Sequence, residues 1–192
     1  AKSEKWNKEV MAISAGHRNV RHAGVNQYGR YVVSALGHGA LDGTGARSHL
    51  DGVNSWGGHL SCANAEWFEM NFPILYLFRR HTRDGAGAGK FRGGAGAETA
   101  HILHDAPEGK VKGITYGVSG ARNSGQGIFG GRSGASSVVI HLENTHVLDM
   151  IKNKRPIEEI SDVGGEPAQL AYKEFEFKVN DVLYMRLANG GG

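Results

Sequence analysis

The chain has 192 residues, enough for a single domain that hides roughly 70% of its unfolded surface. Hydrophobic residues at 40% and charged residues at 21% exclude a mainly disordered chain, and a formal charge of +3 with bases scattered among acids does not imply a nucleic-acid partner. Glycine is the outlier: 30 of 192, roughly twice ordinary usage, without the three-residue period or the proline content of collagen.

In chain order, residues 3–14 read as a helix, with Trp6, Val10 and Ile13 recurring at spacings of four and three and Ser3 as its cap. Gly16 ends it. The run 31–36 is short and β-branched, as a strand requires. A long glycine-rich connection follows, through Gly43, Gly45 and Asp51-Gly52, and such a connection is usually functional or packed against a partner. Residues 64–72 carry Glu66 and Glu69 and precede Pro73 and the apolar run 74–78, which looks like a strand buried on both faces. Further strands are expected at 98–104, 112–118, 137–142, 172–177 and 182–187, a short helix at 146–152 and a polar connection at 156–165. Aromatic and charged residues alternate over 172–177, which suggests one wet face.

The expected fold is therefore mainly β (α+β), glycine-rich, with mixed or antiparallel strands, one N-terminal helix and at most one further short helix. Residues 1–192 are expected to form a single domain. One cysteine, Cys62, cannot make an internal disulfide. No apolar run reaches the about 20 residues needed to span a bilayer. Both features suit a soluble, cytoplasmic protein.

The stretch 83–94 holds five glycines and two alanines. Backbone so bare can approach another group closely, either a ligand bound through N–H groups or a tightly packed neighbouring strand, and these alternatives stay open. It is not a phosphate-binding P-loop, because Gly89-Lys90 is followed by Phe91 rather than serine or threonine. Gly125-Gln126-Gly127-Ile128-Phe129-Gly130 matches a dinucleotide pattern but leads into a strand-like run, not the helix that would hold a pyrophosphate. Arg92, set among glycines, can present its guanidinium for a bidentate carboxylate of a substrate or a neighbouring subunit.

Other candidates carry bland alternatives. His38, Asp42, His49 and Asp51 could converge on a metal or an oxyanion, although no ligand spacing supports it. His101 and His104, three apart on a strand, point to opposite faces and cannot easily share an ion. Glu66 and Glu69 could form a catalytic pair on a helical turn, against two solvated carboxylates at a helix start. Cys62 lacks a nearby base and reads as a small buried hydrophobe. The runs 74–78 and 138–140 need more cover than one small helix gives.

Taken together, Gly45-Ala46-Arg47, Asp51-Gly52, Asn64 with Glu66 and Glu69, Pro73, the loop from Asp84 to Gly94, Gly130-Gly131 with Gly134, Asn180-Asp181-Val182 and the final glycines fall in the order of the hydantoinase B/5-oxoprolinase family. The resemblance covers the chain from about Gly43 onward, and includes the large subunits of acetone and acetophenone carboxylases. The usual family loop has serine and glycine where this chain has Gly85 and Ala86, so it lacks that hydroxyl.

The resemblance implies the C-terminal part of a B-type subunit, as a split gene product or a cleavage fragment. It implies partners: the remaining N-terminal part of that subunit and a hydantoinase A-like ATP-binding chain. It also implies a small-molecule substrate, with ATP and a possible divalent metal held by the partner chains and no cofactor by this one. The loop residues Asp84, Gly85, Gly87, Gly89, Arg92, Gly93 and Gly94 are the substrate-binding or interface candidates; Arg92, Glu66 and Glu69, singled out by residue type and setting, are the catalytic candidates.

Overall fold

The computed structural model describes residues 6, 9–13, 18–34, 41–56, 64–117 and 125–192. Two antiparallel sheets dominate it. The smaller has the order β2-β1-β5-β8, from β1 (Arg18–Val25), β2 (Tyr31–Val33), β5 (Lys110–Gly117) and β8 (Lys173–Lys178). The larger has the order β3-β4-β9-β6-β7, from β3 (Ile74–His81), β4 (Ala97–Leu103), β6 (Val138–Glu143), β7 (Glu166–Gln169) and β9 (Val182–Arg186). The mainly β expectation holds, and every strand pairing is antiparallel.

The period-2 pattern of β4 and β9 explains the layers. Leu103, Leu183, Met185 and Leu187 point one way and meet Val20, Val111 and Phe177 of the smaller sheet. Ala100, Ile102, Val182 and Tyr184 point the other way and meet Val147 and Val163. All seven residues of β4 are buried, as expected of a strand sandwiched on both sides. The cover that the runs 74–78 and 138–140 needed comes from α2 (Val147–Lys152) and the 3-10 turn Ile160–Val163, whose Leu148, Met150 and Ile160 join Leu75, Leu77, Phe78, Val138 and Ile140. The alternation of β8 turns out as expected: Phe177 is buried while Glu174 and Glu176 are exposed.

The expected N-terminal helix is not continued through its described half. Glu9 closes a turn onto Trp6, and then Met11 bridges Arg47 while the Ala12 N–H donates to the Ala46 carbonyl. Extended backbone wins because its polar groups find partners in the glycine-rich region, whereas Met11 and Ile13 have no core to bury in and stay 37% and 47% exposed. Among the described residues the first α-helix is α1 (Ala65–Asn71), capped by the Asn64 side chain accepting from the Glu66 N–H. Its Phe68 packs with Phe72 and Ile74.

β1 and β7 lie where no strand was expected. The pattern of β1 is interrupted by Arg21, His22 and Gly24, and β7 contains Pro167 at a sheet edge, where proline costs no ladder bond. Cys62 and His38 lie outside the described residues. Among the described residues no helix is long and apolar enough to cross a membrane.

Candidate functional site

At the end of the sandwich reached by the C-terminus of β9, segments 10–13, 42–56, 85–96, 125–135 and 187–192 come together. They bond to each other in several directions rather than along one ladder. The final segment is the central thread. The Gly190 N–H donates to the Gly94 carbonyl (2.9 Å), and the Gly190 carbonyl accepts from Gly87 (2.9 Å). Gly191 accepts from Ala46 (2.8 Å) and Gly192 donates to Arg132 (2.9 Å). The connection 41–56, expected to be functional or partner-bound, is thus packed against the chain itself, with residues 42–46 buried.

Glycine is required here by close approach. A Cβ on Gly93 would fall on the Gly190 carbonyl, and one on Gly190 would fall on the Thr44 carbonyl, backbone against backbone in both cases. Of the two explanations for so bare a sequence, the geometry shows backbone packed closely on backbone, and the 125–135 segment runs on without the helix a dinucleotide site needs.

Arg92 leaves this network at its surface. Its Nη1 donates to Asn54 Oδ1 (3.1 Å) and to the Gly93 carbonyl (3.1 Å), and its Nε stands 3.6 Å from Asp51 Oδ2. Asp51 Oδ1 also accepts the Arg92 N–H (3.0 Å), so one aspartate holds both ends of the residue. The side chain remains 50% exposed, and the guanidinium is oriented with donors to spare. Asp84 opens the loop with a left-handed backbone (φ 50°), and Gly85 packs against Asn189, whose amide a Cβ at Gly85 would meet at 2.7 Å. The serine of the usual family loop would press on that amide.

Asn189 is the polar centre that sequence reading missed. It is fully buried, and its Oδ1 and Nδ2 reach Thr82, Gly96, Ala135 and Leu187. The available signal was a polar residue set between Leu187-Ala188 and three glycines; Asn-Gly reads as a turn, which hid it.

The other candidates lie apart. Glu66 is exposed in the first turn of α1, and Glu69 Oε1 accepts the Tyr76 N–H (2.8 Å). Burial, with a smaller contribution from Glu69, raises the Tyr76 phenol well above its ordinary value. These carboxylates sit near the Ile74 end of β3 and the loop follows its His81 end, on the order of 15–20 Å along the strand from Tyr76.

Asp42, His49 and Asp51 do not converge either. Asp51 serves Arg92, and His49 is exposed with Nδ1 3.2 Å from Ser48 Oγ. Asp42 is buried and accepts the Ala188 N–H (3.1 Å). Burial pushes its carboxyl up to about 7 against the pull of that bond. Among the described residues no three potential ligands gather as a metal site would need.

Histidines do gather between the sheets: His22 Nε2 lies 3.1 Å from His101 Nε2 beside the Phe177 ring, and His141 Nε2 lies 2.8 Å from Asp181. His104, exposed beside Asp105, lies just past the end of β4, whereas His101 is fully buried within it.

An ionic chain braces the approach to the loop. Glu98 accepts from Arg80 Nε (2.6 Å) and the Tyr184 hydroxyl (2.8 Å), and Arg80 continues to Glu159 (2.7 Å). The bond to Glu98 is the main reason the Arg80 guanidinium is held still more firmly protonated.

Comparison with known proteins agrees with this architecture. The acetophenone carboxylase delta subunit of Aromatoleum aromaticum is 26% identical over 151 residues, covering 76% of this chain and 22% of the relative. The acetone carboxylase alpha subunit of Xanthobacter autotrophicus is 26% identical over 147 residues, covering 72% and 19%. The chain thus spans about a fifth of the length of these relatives.

Among solved structures, nucleotide-free acetone carboxylase superposes with a TM-score of 0.75 at 22% identity, over 97% of this chain and 27% of that one. The ATP-dependent caprolactamase of Pseudomonas jessenii superposes at 0.60 and 19% identity, over 94% and 29%. These two likenesses concern the fold. The hydantoinase B/oxoprolinase family model matches residues 1–192 throughout, and the chain belongs to that family.

Proposed function

We propose that this chain works as one component of an ATP-dependent carboxylase assembly that carboxylates the enol of a ketone. The supporting observation is sequence similarity over about three quarters of the chain to subunits of two ketone carboxylases. In the assembly, a hydantoinase A-like partner spends ATP to activate the carbonyl or enol oxygen, and the B-type subunit, completed by its N-terminal portion, hosts formation of the new carbon–carbon bond. The loop from Asp84 to Gly94 would meet substrate or the neighbouring chain through Arg92, whose spare donors suit the nascent carboxylate.

The alternative within the family is ATP-dependent opening of a cyclic amide by water, for which the likeness to the caprolactamase gives fold alone. A structural, non-catalytic role draws on a specific observation: the N–H groups of Gly87, Gly93 and Gly94 donate to the chain's own carbonyls.

The test is ketone-dependent ATP hydrolysis with fixation of labelled bicarbonate by the purified complex. Lactam or hydantoin opening that needs no bicarbonate would replace the carboxylase reading with the hydrolase one. Full turnover after Arg92→Ala would favour the structural role.

A further inference from the structure

Beside the glycine network lies a cleft of about 320 Å³ that the assignment of a reaction does not use. Its volume is at the small end of the about 300–1,000 Å³ usual for small-molecule sites. Two exposed cations, Arg47 and Lys90, are among the residues that line it. Neither is ion-paired to an acidic side chain among the described residues. Lys90 Nζ stands 5.6 Å from the centroid of Phe91, which also lines the cleft. Ile128 and Phe129 add further apolar lining.

Phe129 is held there at a cost. The Gly131 N–H closes a turn onto the Ile128 carbonyl (2.9 Å), with Phe129 (φ 51°) and Gly130 (φ 92°) as its two central, left-handed residues. Glycine, asparagine or aspartate ordinarily fill the first of these positions, and a bulky side chain is strained in it. The ring recovers little by burial, since Phe129 is 64% exposed. Strain that packing does not explain points to function.

We propose that this cleft binds a small organic carboxylate with an aromatic or compact alkyl body, the carboxylate between Arg47 and Lys90 and the body against Phe91, Ile128 and Phe129. The cations select charge, and the rings select a flat apolar group. A neutral amide of the same shape loses the first contact, and acetate loses the second.

The test is calorimetric titration of the native complex with benzoate, benzamide and acetate. Benzoate binds with a Kd of roughly 0.1–5 mM, and the other two bind at least about tenfold more weakly. Arg47→Gln and Lys90→Gln each weaken benzoate about tenfold. Phe129→Gly weakens it about three- to tenfold while raising Tm by about 1–3 °C, because glycine relieves the left-handed strain.

Equal binding of benzoate and benzamide, or no binding of benzoate below about 10 mM, overturns the proposal. So does a loss of stability in Phe129→Gly, which would make the ring structural. Slow hydrogen exchange over residues 128–131 that benzoate leaves unchanged would mean that further polypeptide fills the cleft, and overturns it equally.

Discussion

The carboxamide oxygen of Asn189 accepts the Thr82 hydroxyl at 2.5 Å and, from the other side, the Gly96 N–H at 2.9 Å. Its Nδ2 donates to the Ala135 and Leu187 carbonyls, both at 3.3 Å. One side chain therefore ties the entry and exit of the glycine loop to the 125–135 segment and to the central thread. Asn189→Leu leaves a buried hydroxyl, an N–H and two carbonyls without that partner, and is expected to cost about 3–5 kcal/mol. Thr82→Val removes the hydroxyl that reaches both Asn189 Oδ1 and the Gly96 carbonyl (3.1 Å), and costs about 1–2 kcal/mol. In a double-mutant cycle by chemical denaturation the two effects overlap rather than add. Strict additivity, or a cost for Asn189→Leu below about 0.5 kcal/mol, would show that the site is organised by something else.

Two glycines should respond to alanine in opposite degree. The Cβ of Gly93→Ala would land on the Gly190 carbonyl, and neither backbone can yield without moving the network, so about 3 kcal/mol or more is lost. Gly130 has positive φ but open space around it, and Gly130→Ala costs only about 1 kcal/mol of backbone strain. Thermal unfolding of both variants ranks them; a larger shift for Gly130→Ala would contradict close packing as the reason for the glycines.

The same packing explains what could be read from sequence. Strands with strong alternation or long β-branched runs, such as β4, β6, β8 and β9, stood within a residue or two of where they were expected, because one or both faces are committed to a core. The helix expected at 3–14 rested on three apolar residues, and at its described end tertiary hydrogen bonds to Ala46 and Gln126 overrode it. Arg92 stood out because glycines isolate it. Asn189 did not, since only the fold brings Thr82, Gly96 and Ala135 around it, across up to 107 positions of sequence.

Arg92 separates catalysis from architecture. Its contacts to Asn54 and Asp51 are half in solvent, where such pairs contribute about 1 kcal/mol or less, so Arg92→Ala should leave assembly intact. If the guanidinium meets a developing carboxylate, turnover of the complex falls about ten- to a thousandfold. Arg92→Lys keeps the charge but not the fork and should recover little. Gel filtration alongside turnover decides: dissociation of the complex, or unchanged turnover, removes the catalytic role of the loop.

Asp42 gives the fold a pH dependence of definite sign. Burial raises its carboxyl from the ordinary 3.8 to about 7, so the folded chain prefers the protonated form more than the unfolded chain does. The resulting stabilisation is complete below about pH 4 and is lost as pH rises through about 7. A shift of this size corresponds to at most about 4 kcal/mol. Asp42→Asn keeps an oxygen for the Ala188 N–H and cannot ionise, so its stability should not fall over that window. The denaturation midpoint of the native protein should therefore drop relative to Asp42→Asn between pH 4 and 7, and the gap should stop widening above about pH 8. A native protein that gains stability relative to the variant over the same range would mean that Asp42 is ionised in the fold, held by a partner stronger than its burial.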